Sequence, residues 1–436
     1  MIRTLYSGLW WLAMPVVLGR LWWRGRKEPG YRAHWDERLS LGGPVAGDRP
    51  TIMVHAVSVG ETRASEPLVD ALLLAYPDCR ILLTHMTPTG RATGRDLFAR
   101  HGERVVQAYL PYDTGWMTTR FLRRHRPRAC ILMETEVWPN LIHACTRQGV
   151  PIVLANARLS ERSLKRGRKA GAVMLEAARS FTLVAAQTDA DAARIASLGA
   201  PNVVVTGSVK FDIVPPPSAL EKGAWLRTRI DGDARRPVLL CASTREGEEA
   251  LILEAWRQNR DKPQHALLLL VPRHPQRFDD VARLVEASGL TLTRRSQLEA
   301  DNAAAIDAAT DAAIDADVLL GDSMGEMFAY YAACDCAYIG GSLLPLGGQN
   351  LIEACALGKP VLVGEHTFNF LDATIDAVDG GAALRVPDAD ALVAAAARLL
   401  QGDAERAAMG ARALAFAGRH RGATLRTVEL VQRLIG

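Results

Sequence analysis

Short apolar segments recur along this chain from Thr51, separated by stretches of helical character, and that alternation most limits what the chain can fold into. Six fall in the first half, at 51–56, 80–84, 129–133, 151–155, 183–186 and 203–206. Five fall in the second, at 238–242, 266–271, 317–320, 336–339 and 360–363. Apolar strands alternating with helices read as parallel sheets with helices on their faces. The pattern predicts two doubly wound α/β halves, separated near 213–218 by the stiff Pro215-Pro216-Pro217. A length of 436 residues fits two domains. Ligands of such sheets bind beyond the carboxyl ends of the strands, so the strand-end turns are where function is expected.

The most telling turn lies between Gly340 and Phe370. A Gly-rich stretch follows the strand at 336–339 and opens a predicted helix over 350–357, after which comes a strand at 359–363. Glycines let backbone approach a ligand closely, and a helix N-terminus offers N–H groups to a phosphate. Glu353 falls one turn into that helix, where a carboxylate can grip a ribose diol. The same pattern also describes an ordinary βαβ crossover.

The net charge of +4 hides an asymmetry: residues 1–214 hold 29 Lys and Arg against 18 Asp and Glu, and the remainder 23 against 30. A basic N-terminal half suggests an anionic partner there. Nucleic acid is disfavoured, because the basic runs lack interleaved aromatics and no recognition motif is present. Seven scattered cysteines without a C-x-x-C pair fit a reducing compartment, with Cys334 and Cys336 read as core residues.

Residues 1–27 read as a membrane-anchor helix. An uncharged run of 16 residues, Thr4 to Gly19, carries Trp10 and Trp11; Trp22, Trp23, Arg20, Arg24, Arg26 and Lys27 cluster after it. Such a run is short of the roughly 20 residues a spanning helix needs. Snorkelling by Arg3 and Arg20 extends it, and a helix lying in the interface plane or buried in the fold stays open. No small-residue cleavage site follows, and the positive cluster puts the bulk of the chain in the cytoplasm. Because the strands begin only at Thr51, removing this segment is expected to leave a folded protein. The Ala/Asp-rich stretch 302–315 reads as a surface insert.

Several strand-end turns carry chemistry. Glu61, in HAVSVGET at 55–62, starts a helix where a carboxylate acts as general base or merely complements the helix dipole. Glu134 and Glu136 end another strand, where two carboxylates either hold acceptor hydroxyls or pair with the Arg120–Arg128 cluster. Lys210, in GSVKFD at 207–212, balances a sugar carboxylate or departing phosphate, or is a solvated linker lysine. Arg273, in VPRHP at 271–275, suits a nucleotide phosphate. The turns 242–248, 321–326 and 347–353 add backbone N–H groups in the same half, which points to a nucleotide there. Asp-x-Asp pairs at 189/191, 231/233, 315/317 and 388/390 read as chance, and no metal cluster is visible. Arg158, Arg162, Lys165, Arg166 and Lys169 read as one basic helical face, either solvated or meeting phosphates.

These segments match a known family. HAVSVGET, MTPTG, LPYD, ETEVWPN, ANARLSERS, GSVKFD, STREGEE, VPRHPQRF, GDSMGEM and GGQNLIEA with GEHTFNF run in unbroken order to about Phe370, and with them the chain resembles the 3-deoxy-D-manno-octulosonic acid (Kdo) transferases of the bacterial inner membrane. The resemblance implies a GT-B fold: an acceptor-binding Rossmann-like domain over 28–214, and a nucleotide-sugar domain over 215–436 facing it across a cleft. The last helix is expected to pack back on the first domain. It implies inverting transfer of Kdo from CMP-Kdo to a lipid A precursor, lipid IVA, on the cytoplasmic face of the membrane, beside anionic lipid and without a bound metal or other cofactor. Glu61 matches the general base, and Glu134 and Lys210 match transition-state stabilisers. Pro272, Arg273, Met324, Gly325, Glu326, Asn350, Leu351, Ile352 and Glu353 match the CMP-binding positions. Gln349 and Glu365 stand where the family commonly has His and Pro. The alternative is a membrane-associated GT-B enzyme using another donor, such as a UDP-sugar.

Overall fold

The computed structural model describes residues 2–44, 47–169, 171–298 and 314–436. Most of the stretch expected to be a surface insert, up to residue 313, lies outside them. The chain divides into two compact units, Met1–Asp212 with His420–Gly436, and Ile213–Arg419.

In the first unit the strands are β1 (Thr51–His55), β2 (Arg80–His85), β3 (Val105–Tyr109), β4 (Pro127–Met133), β5 (Ile152–Ala157), β6 (Leu183–Ala186) and β7 (Val203–Val205). They form one parallel sheet in the order β3-β2-β1-β4-β5-β6-β7. The period of two along each strand divides its side chains between two cores. Ile52, Val54, Ile131 and Met133 enter one, and Met53, Cys130 and Leu132 enter the other. Burial on both faces is why these strands are continuous apolar runs in the sequence. β3 is not foreseen there: it lies at the sheet edge, and Gln107 interrupts its apolar character.

The last helix, Ala423–Ile435, belongs to this unit, with Ala423, Val428 and Val431 in the same core as Leu68 and Leu72 of the helix Glu66–Ala75. The Asp212 carboxylate accepts from the N–H groups of Gly422 (2.5 Å) and Thr424 (2.6 Å) at its start.

The N-terminal helix, Ile2–Arg24, also packs into this unit, which corrects the expectation that it contributes little to either core. Met14 and Leu21 are buried with Tyr31, Tyr112 and Met117. The Tyr6 hydroxyl donates to Asp113 at 3.1 Å, and Asp113 accepts from the N–H groups of Asn140 and Leu141. On another face Leu5, Leu9, Leu12 and Val16 form an exposed stripe at helical spacing. Among the described residues no helix is long and apolar enough to cross a membrane.

The second unit repeats the plan with β8 (Val238–Thr244), β9 (Leu267–Pro272), β10 (Leu292–Arg294), β11 (Val318–Leu320), β12 (Cys336–Ile339), β13 (Val361–Val363) and β14 (Ala383–Arg385). All pair in parallel, in the order β10-β11-β9-β8-β12-β13-β14. The three-residue edge strands β10 and β14 are too short to stand out in the sequence. The strand order reverses at a topological switch point between β1 and β4 in the first sheet and between β8 and β12 in the second. All seven cysteines are buried and free.

Candidate active site

At the first switch point, β1 runs into a turn and then the helix Val59–Ala64. Ser58 caps that helix, its hydroxyl oxygen accepting from the Glu61 N–H at 3.4 Å. The Glu61 carboxylate reaches back to accept from the Val57 N–H at 2.7 Å and the Ser58 hydroxyl at 3.3 Å. This reciprocal capping locks the carboxyl in place at a strand end. Burial pushes it up to about 7, and the charges of Glu136 and then Glu134 add to the rise, while the Val57 and Ser58 hydrogen bonds pull the other way. A carboxyl poised there exchanges a proton readily near neutral pH.

Neighbouring β4 delivers Glu134, which is buried and takes a left-handed backbone, φ 56°. A non-glycine residue holds that conformation at roughly 1–3 kcal/mol of strain. Its two oxygens are divided between two cations: Oε1 meets Lys210 Nζ at 2.7 Å and Oε2 meets Arg158 Nε at 3.1 Å. Glu136 accepts from the Trp138 indole N–H at 2.8 Å, and burial followed by the Glu134 charge raises its carboxyl. The Trp138 ring packs edge-on against buried His55, whose imidazole burial pushes down to about 3.

β5 completes the group. Asn156, buried at φ 53°, sits where the pairing of β5 with β6 slips register. Such bulges re-aim side chains next to functional sites. Its Oδ1 accepts from the Val209 N–H at 3.2 Å and so fixes the short helix Val209–Asp212 that carries Lys210. The structure thus brings Glu134 and Lys210 into direct contact, with Glu61 on the adjoining strand end. Arg158 is removed from the expected basic face. It follows β5, whereas the helix bearing Arg162, Lys165 and Arg166 starts at Glu161 and ends at Lys169.

The second switch point is built mainly from backbone. Ser243, at φ 56°, sits in the bulge between β8 and β9. A Cβ on Gly340 would press against the Ser243 carbonyl oxygen and lie 2.6 Å from the Thr244 Cα, so only glycine fits there. Gly347 and Gly348 have φ of 95° and 70°. Glu248, fully buried at the start of the helix Glu248–Gln258, holds this loop from beneath. It accepts from the Gly341 N–H (2.6 Å), the Leu343 N–H (3.1 Å), the Arg245 N–H (2.9 Å) and the Tyr338 hydroxyl (2.6 Å). Burial pushes the Tyr338 phenol well above its ordinary value, and Glu248 adds to the rise. Glu248 is not among the residues foreseen; its signal is an acidic residue closing a strand-end turn, in STREGEE.

The nine positions matched to CMP binding lie at the end of β9 and in the segments that follow β9, β11 and β12. Pro272 ends β9 in register with Thr244, and the Arg273 N–H donates to the Thr244 carbonyl at 2.9 Å. Met324 is exposed, and Gly325 has φ 83°. Glu326 meets Lys222 at 3.0 Å and Arg295 at 3.3 Å and accepts from the Ser323 hydroxyl at 2.6 Å. Burial raises its carboxyl, but the Ser323 and Lys222 hydrogen bonds with the Arg295 charge outweigh that and leave it below the usual value. The helix predicted over 350–357 is shorter, Ile352–Ala356. Asn350 precedes it, accepting from the Ile352 N–H at 3.0 Å and donating to Glu353 at 3.1 Å. Leu351 and Ile352 are buried.

The Asp-x-Asp pairs have structural partners. Asp191 pairs with Arg194, Asp231 with Arg227, Asp317 bonds Thr291 and Asp388 caps the helix Ala389–Gln401. Among the described residues no group of three or more His, Cys, Asp or Glu side chains is arranged to hold a metal ion.

With this geometry in view, the chain can be set beside known proteins. The family model described as 3-Deoxy-D-manno-octulosonic-acid transferase (kdotransferase) matches residues 33–213, and that described as Glycosyl transferases group 1 matches 242–415. A curated 3-deoxy-D-manno-octulosonic acid transferase of Bordetella pertussis is 46% identical over 435 residues, 97% of each chain. That of Haemophilus influenzae is 37% identical over 436 residues, 99% of this chain and 98% of the relative. Among solved structures, the UDP-GlcNAc 2-epimerase of Neisseria meningitidis bound to UDP-GlcNAc superposes with a TM-score of 0.59 at 15% identity, covering 88% of this chain and 100% of its own. At that identity the likeness concerns the fold alone.

Proposed function

We propose a reaction that begins from one premise: this chain belongs to the 3-deoxy-D-manno-octulosonic acid (Kdo) transferase family and is a GT-B glycosyltransferase acting in lipopolysaccharide synthesis. The donor is CMP-Kdo and the acceptor is a lipid A precursor, lipid IVA. Glu61 takes the proton of an acceptor hydroxyl as its oxygen attacks the anomeric carbon of Kdo. The bond from that carbon to the CMP phosphate oxygen breaks, the electron pair leaves with the phosphate, and the configuration inverts.

The second unit holds the nucleotide. Arg273 and the loop amides around Asn350–Glu353 take up the charge growing on the phosphate, and Pro272, Met324, Gly325 and Glu326 complete the CMP site. Lys210, oriented by Glu134, stabilises the transition state. The scheme uses no bound metal or other cofactor. The exposed stripe Leu5, Leu9, Leu12 and Val16 and the basic helix with Arg162, Lys165 and Arg166 meet anionic lipid at the cytoplasmic face of the inner membrane.

The observation that carries this reading is the Glu61 carboxyl, fixed at the β1 end and raised to about 7. A base needs a proton affinity near the working pH. Mass spectrometry of lipid products made with CMP-Kdo and, separately, with UDP-sugars tests it. We expect Kdo mass increments from CMP-Kdo alone, their number giving the units added. Transfer from a UDP-sugar with none from CMP-Kdo overturns the donor assignment.

A further inference from the structure

The sequence groups Arg158 with a basic helical face; the structure gives it other company. It follows β5 directly, and its Nε donates to Glu134 Oε2 at 3.1 Å while Lys210 occupies Oε1 at 2.7 Å. Glu134 is only 6% exposed at its side chain, Lys210 is 18% exposed and Arg158 is 44% exposed. One buried carboxylate therefore orders two cations at the ends of β4 and β5. The arrangement is held from several sides. The left-handed backbone of Glu134 turns its side chain off the strand, the Arg158 N–H donates to the Glu134 carbonyl at 3.4 Å, and Asn156 fixes the turn that carries Lys210. A second cation, with close to half its side chain in solvent, is positioned to receive an anion.

We propose that Arg158 contacts substrate: with Lys210, and held by Glu134, it receives an anionic oxygen group, a carboxylate or a phosphate. This rests on the reaction proposed above, whose substrates offer both, the sugar-acid carboxylate of the donor and the phosphates of the acceptor. A guanidinium meets either in a two-pronged geometry that an ammonium cannot copy.

The test is steady-state kinetics of the full-length protein and of Arg158→Ala and Arg158→Lys, with CMP-Kdo and with acceptor lipid carrying or lacking its phosphates. A lost charge-assisted hydrogen bond is worth about tenfold or more. We expect Arg158→Ala to raise one KM by about that factor and Arg158→Lys to recover part of it. A rise for the phosphorylated acceptor alone, absent with the dephosphorylated one, assigns the phosphate. A rise for CMP-Kdo with the acceptor unaffected assigns the carboxylate. If both KM values stay put in Arg158→Ala while kcat or melting temperature falls, Arg158 merely braces Glu134 and the proposal is overturned. Absence of any Kdo product from the unaltered protein would instead sink the reaction itself, so the two failures are distinguishable.

Discussion

The two units share a sheet plan yet use their switch points in opposite ways. The first gathers charged side chains: Glu61, Glu134, Glu136, Lys210 and Arg158 stand at the ends of three adjoining strands or on a turn tied to them. The second gathers glycines and backbone N–H groups, and Glu248, fully buried there, is spent on shaping the loop. A proton-transfer site needs side chains whose proton affinity can be tuned by neighbours. A phosphate cradle needs donors that carry no bulk. In the proposed reaction one topology supplies a place for each, and the residues at the strand ends decide which it becomes.

The sharpest way to break this comparison is Glu61→Gln. The amide keeps an oxygen for the Val57 N–H but accepts no proton from substrate. Transfer is expected to fall by about 10²–10⁴-fold while CMP binding, which the proposal assigns to the other unit, stays unchanged. Rate assays paired with CMP calorimetry check this, and near-normal turnover would remove Glu61 from the chemistry.

A smaller effect separates the two glycine turns. Gly340→Ala forces a Cβ against backbone atoms and is expected to destabilise the second unit by about 1–3 kcal/mol and weaken CMP binding. In Gly60→Ala the nearest atom to the new Cβ is the Ser58 hydroxyl, 3.9 Å away. That variant should melt and bind CMP as the unaltered protein does. Equal damage from both substitutions, read by thermal melts, would erase the distinction between a side-chain site and a backbone site.

The smallest expected effect is a displaced pH profile. In the proposed reaction Glu61 must be ionised to act, so activity is expected to fall as pH drops through about 7. Glu136→Gln removes a neighbouring negative charge that raises the Glu61 carboxyl. The acidic limb of kcat/KM against pH should therefore move to lower pH, with the CMP dissociation constant unaltered. A limb that stays or moves upward contradicts the electrostatic link.

The strand ends are legible because buried parallel strands are uninterrupted apolar runs, and each gives way to a turn with few residue choices. Glu61, Glu134 and Lys210 can be found that way. Edge strands β3, β10 and β14 cannot: Gln107 breaks the apolar run of β3, and β10 and β14 are three-residue segments with a charged residue at their end, unlike the all-valine β7. Arg158 is misplaced by the sequence because spacing of four suggests a helix face and cannot show that the helix begins at Glu161. Packing of the N-terminal helix depends on Tyr31, Tyr112 and Met117, and no local pattern announces a partner a hundred residues away. Glu248 looks like a helix-start acid in the sequence, and only the fold reveals four donors converging on it.

The last helix has a consequence for how the molecule comes into being. The first unit is not complete until Ala423–Ile435 has been made, yet roughly 200 residues of the second unit are synthesised in between. At about 5–20 residues per second, the nascent first sheet waits on the order of 10–40 s on the ribosome with the face that will receive Val428 and Val431 uncovered. The second unit, contiguous in sequence, has no such wait. A chain that stops short near His420 therefore carries an intact later half and an unfinished earlier one, so the earlier-made half is the one left vulnerable to proteases and to aggregation.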